Sequence, residues 1–343
     1  MKNIFISNIT IANVRHLKNI NIALSETEKK HLILTGRNGS GKTSILNALA
    51  FYLHSVSTDG SLGRLLGYAT KLNLQESKMI LEFNESQESL RDCFEEGQFI
   101  LAYYKAERSF MADIPEHVEK VALNDKYAIT EEPHRIFIKY LLDLKVTEAL
   151  ARNGSNLSKA ENIRNWFEHL QDLLRKVFED ETLELIFDED TFRFFIKMKD
   201  RELFDFNTLS DGYAAIFNIV LDLIVRMEKN VNKSFNFNMP GIVLIDEIET
   251  HLHLELQRVV LELLTTVFPN IQFIVSTHSP FILSSLDDVV IYDLERNIMV
   301  PNGLANVPYA GIVEGYFNAD SMSSDLKKKY DRYKELVAKD CMI

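Results

Sequence analysis

Gly36-Arg37-Asn38-Gly39-Ser40-Gly41-Lys42-Thr43 gathers three of the chain's 13 glycines ahead of a lysine and a hydroxyl. Glycines let a backbone wrap closely around an anion, so that its N–H groups and the start of a following helix point at one centre. The G-x-x-x-x-G-K-[ST] spacing is that of a cradle for nucleotide phosphates, provided a strand precedes it and a helix follows. Lys42 would reach the β- and γ-phosphates and the Thr43 hydroxyl would ligate Mg²⁺, with Ser44 next along the helix. A second group, Ile242-Val243-Leu244-Ile245-Asp246-Glu247, is an apolar strand ending in two carboxylates. Beside the cradle, Asp246 would hold Mg²⁺ through water and Glu247 would polarise an attacking water. Alone, such a strand end reads equally well as a solvated turn.

The surrounding elements must supply that juxtaposition. Lys2 to Ile11 and Asn19 to Leu24 read as strands, and His31 to Leu34 is a short apolar run leading into the cradle. Ile45, Leu46, Leu49 and Leu53 recur at helical spacing after it, and Met79 to Phe83 and Phe99 to Tyr104 read as further strands. In the middle, Glu131 to Arg152 and Ser158 to Glu179 read as amphipathic helices on either side of Asn153-Gly154-Ser155. Ser158 is the expected N-cap of the second, with Glu161 three residues on, and Trp166 falls on its apolar stripe as core. Leu183 to Phe187, Phe192 to Met198 and Leu203 to Phe206 read as strands. A helix from Gly212 to Met227, the acidic strand, a helix from Leu254 to Phe268 and a strand from Phe273 to Ser276 complete a β/α alternation. Without a repeat or Pro-rich linker, residues 1–343 read as one α/β domain with a mixed sheet and N-terminal antiparallel strands. A helical insertion is expected at about 109–180 and a C-terminal helix at about 324–340.

Two further segments accompany the cradle and the acidic strand. Leu209-Ser210-Asp211-Gly212-Tyr213 precedes the strand at a helix start, and Ser276-Thr277-His278-Ser279-Pro280 follows it at a strand end. In this order the four elements resemble the ATP-binding-cassette ATPases. Ile11-Ala12-Asn13-Val14-Arg15-His16-Leu17 is similar to the opening segment of the SMC-like and recombination-type branch, which implies that Asn13 and Arg15 contact nucleotide. Asp246-Glu247-Ile248-Glu249-Thr250-His251-Leu252-His253 resembles the acidic motif of stand-alone ATPases related to the overcoming-lysogenization-defect (OLD, AAA_21-like) group. Many of that group serve bacteriophage defence beside a nuclease or toxin.

The resemblance implies a P-loop ABC-type head that binds and hydrolyses ATP with Mg²⁺. It also implies a head-to-tail homodimer or higher oligomer, in which one subunit's cradle is capped by Ser210 and the Gly212 backbone of the other, while His278 contacts the γ-phosphate. Asp211, Tyr213 and Leu254 depart from relatives' patterns, and Ser210 with Asp211 also suits a plain helix N-cap. The Q-loop glutamine has no counterpart: Lys105-Ala106-Glu107-Arg108 occupies its region.

Lys and Arg total 38 against 50 Asp and Glu, a net charge of −12, which argues against a chain coated in basic surface, though not against a local basic patch. Arg193, Lys197 and Lys199 form one basic strand face, read as solvated rather than as a DNA surface, and DNA binding stays open. His251-x-His253 reads as a dimer-contacting segment rather than a metal pair. Two cysteines and no run of ~20 apolar residues indicate a cytoplasmic protein without a membrane partner. The stretch between Lys42 and Ser210 is too short for coiled-coil arms, since helices of ~20 residues reach about 30 Å. No acidic constellation after His278 suggests a fused nuclease, so the effector is expected on a separate chain. The alternative is a recombination-type ATPase acting directly on DNA, with a transporter ATPase third. Leu326, Tyr330, Tyr333 and Val337 share a helical stripe beside Lys327, Lys328, Arg332, Lys334 and Lys339. That stripe reads equally as core packing or as a partner-docking face.

Overall fold

The structure, a computed structural model, describes residues 2–57, 77–231, 234–307, 311–312, 329–330 and 332–333. Strands β1 (Ile6–Val14), β2 (Leu17–Ala23) and β4 (Lys78–Phe83) form an antiparallel sheet in the order β2-β1-β4. The central sheet runs β11-β10-β3-β9-β8-β5, from β3 (His31–Thr35), β5 (Ile100–Tyr104), β8 (Gly241–Ile245), β9 (Ile271–Ser276), β10 (Val289–Asp293) and β11 (Ile298–Val300). All its neighbours are parallel except the edge strand β11. A separate hairpin pairs β6 (Glu184–Asp188) with β7 (Arg193–Lys197).

The parallel strands are apolar throughout because both of their faces are covered. Leu32 and Leu34 pack with β1, β4 and helix α1 (Lys42–Ser57), whereas Ile33 faces the opposite core. Ile242 and Leu244 share the first side, and Val243 and Ile245 the second. Helix α2 (Gln87–Glu95) joins the first layer through Leu90 and Phe94. The second layer consists of α3 (Phe137–Asn153), α4 (Leu157–Phe178), α5 (Asp211–Val231) and α6 (Leu254–Val267), with a single turn α7 (Pro280–Leu283) after β9.

Several expected boundaries shift for local reasons. Only 133–153 and 157–178 of the expected 109–180 insertion are helical, and α3 begins at Phe137 after a 3₁₀ turn at Pro133–Ile136, because the His134 N–H is taken by Asp222 Oδ1 at 3.1 Å. Buried α3 and α4 residues belong to the same core as β8 and α5. Asn156, not Ser158, caps α4 by accepting from the Lys159 N–H, since the chain re-enters the helix directly after a left-handed Ser155. The expected strand at Leu203–Phe206 shrinks to one bridge between Phe204 and Ile196, because Asp205 caps a 3₁₀ turn with Thr208 completing a capping box. Phe192, placed on the apolar face, sits in the β6–β7 turn with positive φ and is exposed, whereas Phe194, Ile196 and Met198 are buried. Trp166 is 1% exposed and donates from Nε1 to Glu228 Oε2 at 3.1 Å. Of the C-terminal helix only Lys329, Tyr330, Arg332 and Tyr333 are described, in helical conformation with both tyrosines exposed. Leu326 and Val337, the other two members of that expected docking stripe, and Lys327, Lys328, Lys334 and Lys339 beside it lie outside the described residues.

Candidate active site

Parallel register brings the expected chemistry to one edge. Thr35 of β3, Ser276 of β9 and Ile245 of β8 end their strands side by side, through the pairs Leu34 with Ser276 and Ile245 with Val275. The phosphate loop, His278 and the Asp246-Glu247 turn therefore leave the sheet from the same side. An open cleft of about 340 Å³ there is lined by Arg15, His16, Asn38, Gly39, Gly41, Lys42, Thr43, Ser44 and Glu247.

Gly36, Gly39 and Gly41 hold φ of +128°, +81° and +104°. At Gly41 a Cβ would also stand 2.7 Å from Leu17 Cδ1, so the β1–β2 hairpin rests directly on the loop. His16 Nε2 lies 3.2 Å from the Ser40 carbonyl and adds a second contact. A Gly41→Ala chain combines a forbidden φ with this clash, a strain on the order of 1–3 kcal/mol. It is expected to bind nucleotide at least ~10-fold more weakly with its melting temperature lowered by only a few degrees, and Leu17→Ala will not restore affinity because the φ strain remains. Nucleotide titration of the single and double variants checks this.

Lys42 is 5% exposed and donates to the carbonyls of Gly36 at 2.8 Å and Arg37 at 3.2 Å. Burial lowers its ammonium pKa, opposed by Glu247, Glu249, Asp246 and Asp293. Asp246 lies behind the cleft, 3% exposed, accepting from Ser276 Oγ at 2.6 Å. The same Ser276 Oγ accepts the Glu247 N–H at 2.7 Å. Glu247 adopts φ +45°, a left-handed conformation that a non-glycine residue takes at a cost of roughly 1 kcal/mol or more. Burial, then Lys42, push the His278 imidazole below its ordinary range against the pull of three nearby acids, leaving it neutral at pH 7.

Two residues without an assigned role shape this edge. Glu249 accepts the His278 N–H through Oε1, at 2.5 Å. Arg108, 7% exposed, donates through Nη1 to Asp246 O at 2.5 Å and Lys105 O at 2.9 Å, and through Nη2 to Glu247 O at 3.0 Å and Ile248 O at 3.3 Å. Burial pushes its pKa down to about 10, so it remains a cation at neutral pH.

Other expected site residues stand apart. Asn13 pairs with Lys18 in the hairpin, Arg37 turns outward to Glu295 at 3.2 Å, and neither lines the cleft. Ser210 is exposed at the start of α5, and Gly212 is buried where a Cβ would meet the His251 carbonyl at 2.9 Å. Neither lines the cleft of its own chain. His251 and His253 are exposed, and among the described residues no group of three or more His, Cys, Asp or Glu could hold a metal. Ser40 Oγ, His278 Nε2 and Glu249 Oε2 are buried without a protein partner, which fits a polyphosphate with its metal and water.

A family model described as "AAA domain, putative AbiEii toxin, Type IV TA system" (AAA_21) matches residues 112–284. That span contains Ser210, Asp246 and His278, and the phosphate loop lies ahead of it. The chain is 29% identical to Septu protein PtuA of Bacillus mycoides over 97% of its own length and 48% of that relative. It is 29% identical to the retron Vc95 probable ATPase of Vibrio cholerae over 60% of its length and 40% of that relative. The chain thus spans less than half the length of these curated relatives. Among solved structures, an SMC head bound to the C-winged helix domain of ScpA superposes with a TM-score of 0.46 at 15% identity, covering 89% of this chain and 100% of that one. No helix among the described residues is long and apolar enough to cross a membrane.

Proposed function

The chain belongs to the AAA_21 family of AAA domains, and on that premise we propose that it is a cytoplasmic ATPase of phage defence that closes around ATP as a head-to-tail dimer and controls a separately encoded nuclease or toxin. The observation that carries the ATPase reading is the convergence of Lys42 and Glu247 on one cleft, at the ends of the parallel strands β3 and β8 that flank β9. The names of the relatives, a Septu protein and a retron ATPase, support the defence setting.

In this reading the loop amides and Lys42 hold the β- and γ-phosphates, a phosphate competing with the two loop carbonyls for the ammonium. Thr43 and Asp246 would hold Mg²⁺, which neutralises charge on the phosphates. Glu247, presented by its left-handed turn, accepts a proton from the attacking water. His278, neutral and with a free Nε2, contacts the γ-phosphate, its loop steadied by Glu249. Ser210 is exposed and absent from its own chain's cleft, which supports a role across a subunit boundary.

Mixing variants tests the shared site. Ser210→Arg and Lys42→Ala should each be inactive with intact fold. In an equimolar mixture one composite site keeps both a sound cradle and a sound Ser210, so ATPase activity should return to a fraction of wild type. A mixture no more active than either variant alone would remove the head-to-tail model.

A further inference from the structure

We propose that Arg108 is a positioning residue for Glu247, holding the turn that presents its carboxylate to the cleft. This rests on the reading of Glu247 as the group that orients water. Asp246, Glu247 and Ile248 have their carbonyls turned toward a single guanidinium, an arrangement that an extended chain cannot make. Glu247 supplies the bend through its positive φ, and such a conformation persists only where its surroundings over-determine it.

The N–H side of the turn is fixed by β strands. Asp246 N–H donates to Tyr104 O, Glu247 N–H to Ser276 Oγ and Ile248 N–H to Ser276 O. Arg108 fixes the carbonyl side, and its rigid fork spans acceptors that a lysine ammonium could not reach together. A guanidinium this deeply buried is costly unless its donors are used; four carbonyls take the Nη1 and Nη2 donors, while Nε is buried without a partner. Arg108 is itself anchored: the next residue, Ser109, accepts from Asn218 Nδ2 of α5 at 3.1 Å. One short segment after β5 is therefore tied both to the acidic turn and to the helix that begins beside Ser210. None of the contacts of Arg108 reaches the phosphate loop, so its effect should fall on turnover rather than on nucleotide binding.

The test is a cycle of Arg108→Lys and Glu247→Gln in the full chain, with nucleotide affinity and steady-state ATPase read separately. Arg108→Lys should bind a fluorescent ATP analogue within ~3-fold of wild type and lower kcat by ~10–100-fold. Added to Glu247→Gln, it should cost no more than ~2-fold further, because the group that it positions is already disabled. Arg108→Gln, which removes the buried charge, repeats the measurement if the lysine variant does not fold. Equal losses of affinity and kcat, failure of both variants to fold, or full additivity with Glu247→Gln would overturn the inference and leave the Glu247 reading intact. Wild-type turnover by Glu247→Gln would overturn both.

Discussion

A Glu247→Gln chain is expected to keep its fold and its affinity for ATP while hydrolysing it at least ~100-fold more slowly, the scale of a lost general base. Glutamine preserves the shape and can sit in the same turn, held by the Ser276 hydroxyl on its N–H and by Arg108 on its carbonyl. Only the ability to take a proton is lost. Lys42→Ala should behave differently and lose binding, because the ammonium is the cradle's principal cation and lies at its floor. Isothermal titration with ATP, paired with phosphate release, separates the two outcomes. Glu249 provides the control: it sits on the same turn but is engaged by the His278 N–H. If Glu249→Gln abolishes hydrolysis while Glu247→Gln does not, the roles must be exchanged.

Substituting Arg226 by methionine should destabilise the protein by about 3–5 kcal/mol, the usual result of removing one partner from a buried ion pair. Arg226 is 2% exposed and bonds Asp222 Oδ2 at 2.7 Å, with its remaining donors on the carbonyls of Leu101, Ala128 and Glu131. Asp222, fully buried, also accepts from Tyr104 Oη at 2.7 Å and from the His134 N–H. Burial by itself would raise the Asp222 carboxyl, but Arg226 and His134 outweigh it and hold its pKa below the ordinary carboxylate range. The unfolded chain therefore binds a proton at this position before the native one does. Its contribution is complete above the unfolded value of about 4 and is lost as pH falls through the lower folded value. Urea unfolding at pH 7 and at a series of acid pH values should show this slope in the wild type. In Arg226→Met the carboxylate loses its main counter-charge and its folded pKa rises, so this loss of stability in acid should shrink or reverse. A loss below ~1 kcal/mol at pH 7 would mean that the network is dispensable.

The phosphate loop, the acidic strand and the histidine segment were legible because their chemistry demands particular residue types at short spacing. Gly41 needs its φ and Asp246 must end a strand, and both demands are written locally. The order β10-β3-β9-β8-β5 could not be read that way, since parallel neighbours are fixed by contacts between distant segments. Helix α2 and strands β10 and β11 carry no comparable local signal. In α2 only Leu90 and Phe94 are buried among polar residues, too thin a stripe to stand out. In the sequence Arg108 is legible only as an occupant of the Q-loop region. Its partners are main-chain carbonyls far along the chain, which leave no mark on side-chain identity. The cap of α4 is ambiguous in the sequence by two residues because Asn156 and Ser158 are equally good capping types, and only the turn at Gly154 and Ser155 decides between them.

At the sheet edge opposite the cleft, the buried Gln272 amide accepts from the Ile6 N–H at 2.8 Å and donates to the carbonyls of Ile6 and Lys30. One side chain of β9 thus completes the hydrogen bonding of β1 and of the residue before β3, sewing the antiparallel sheet to the central one. Measured by amide exchange, the two sheets should open as one cooperative unit rather than two, with the Ile6 amide protected as strongly as those of β9. Mechanically, the seam turns the β1–β2 hairpin into a lever fixed at its far end, with Arg15 and His16 at its tip beside the phosphate loop. Any displacement of the hairpin by nucleotide must then bend β1 along its length. The bulges in its pairing with β4, at Ile6/Asn8 and Ile11/Asn13, are the compliant points where that bending would gather.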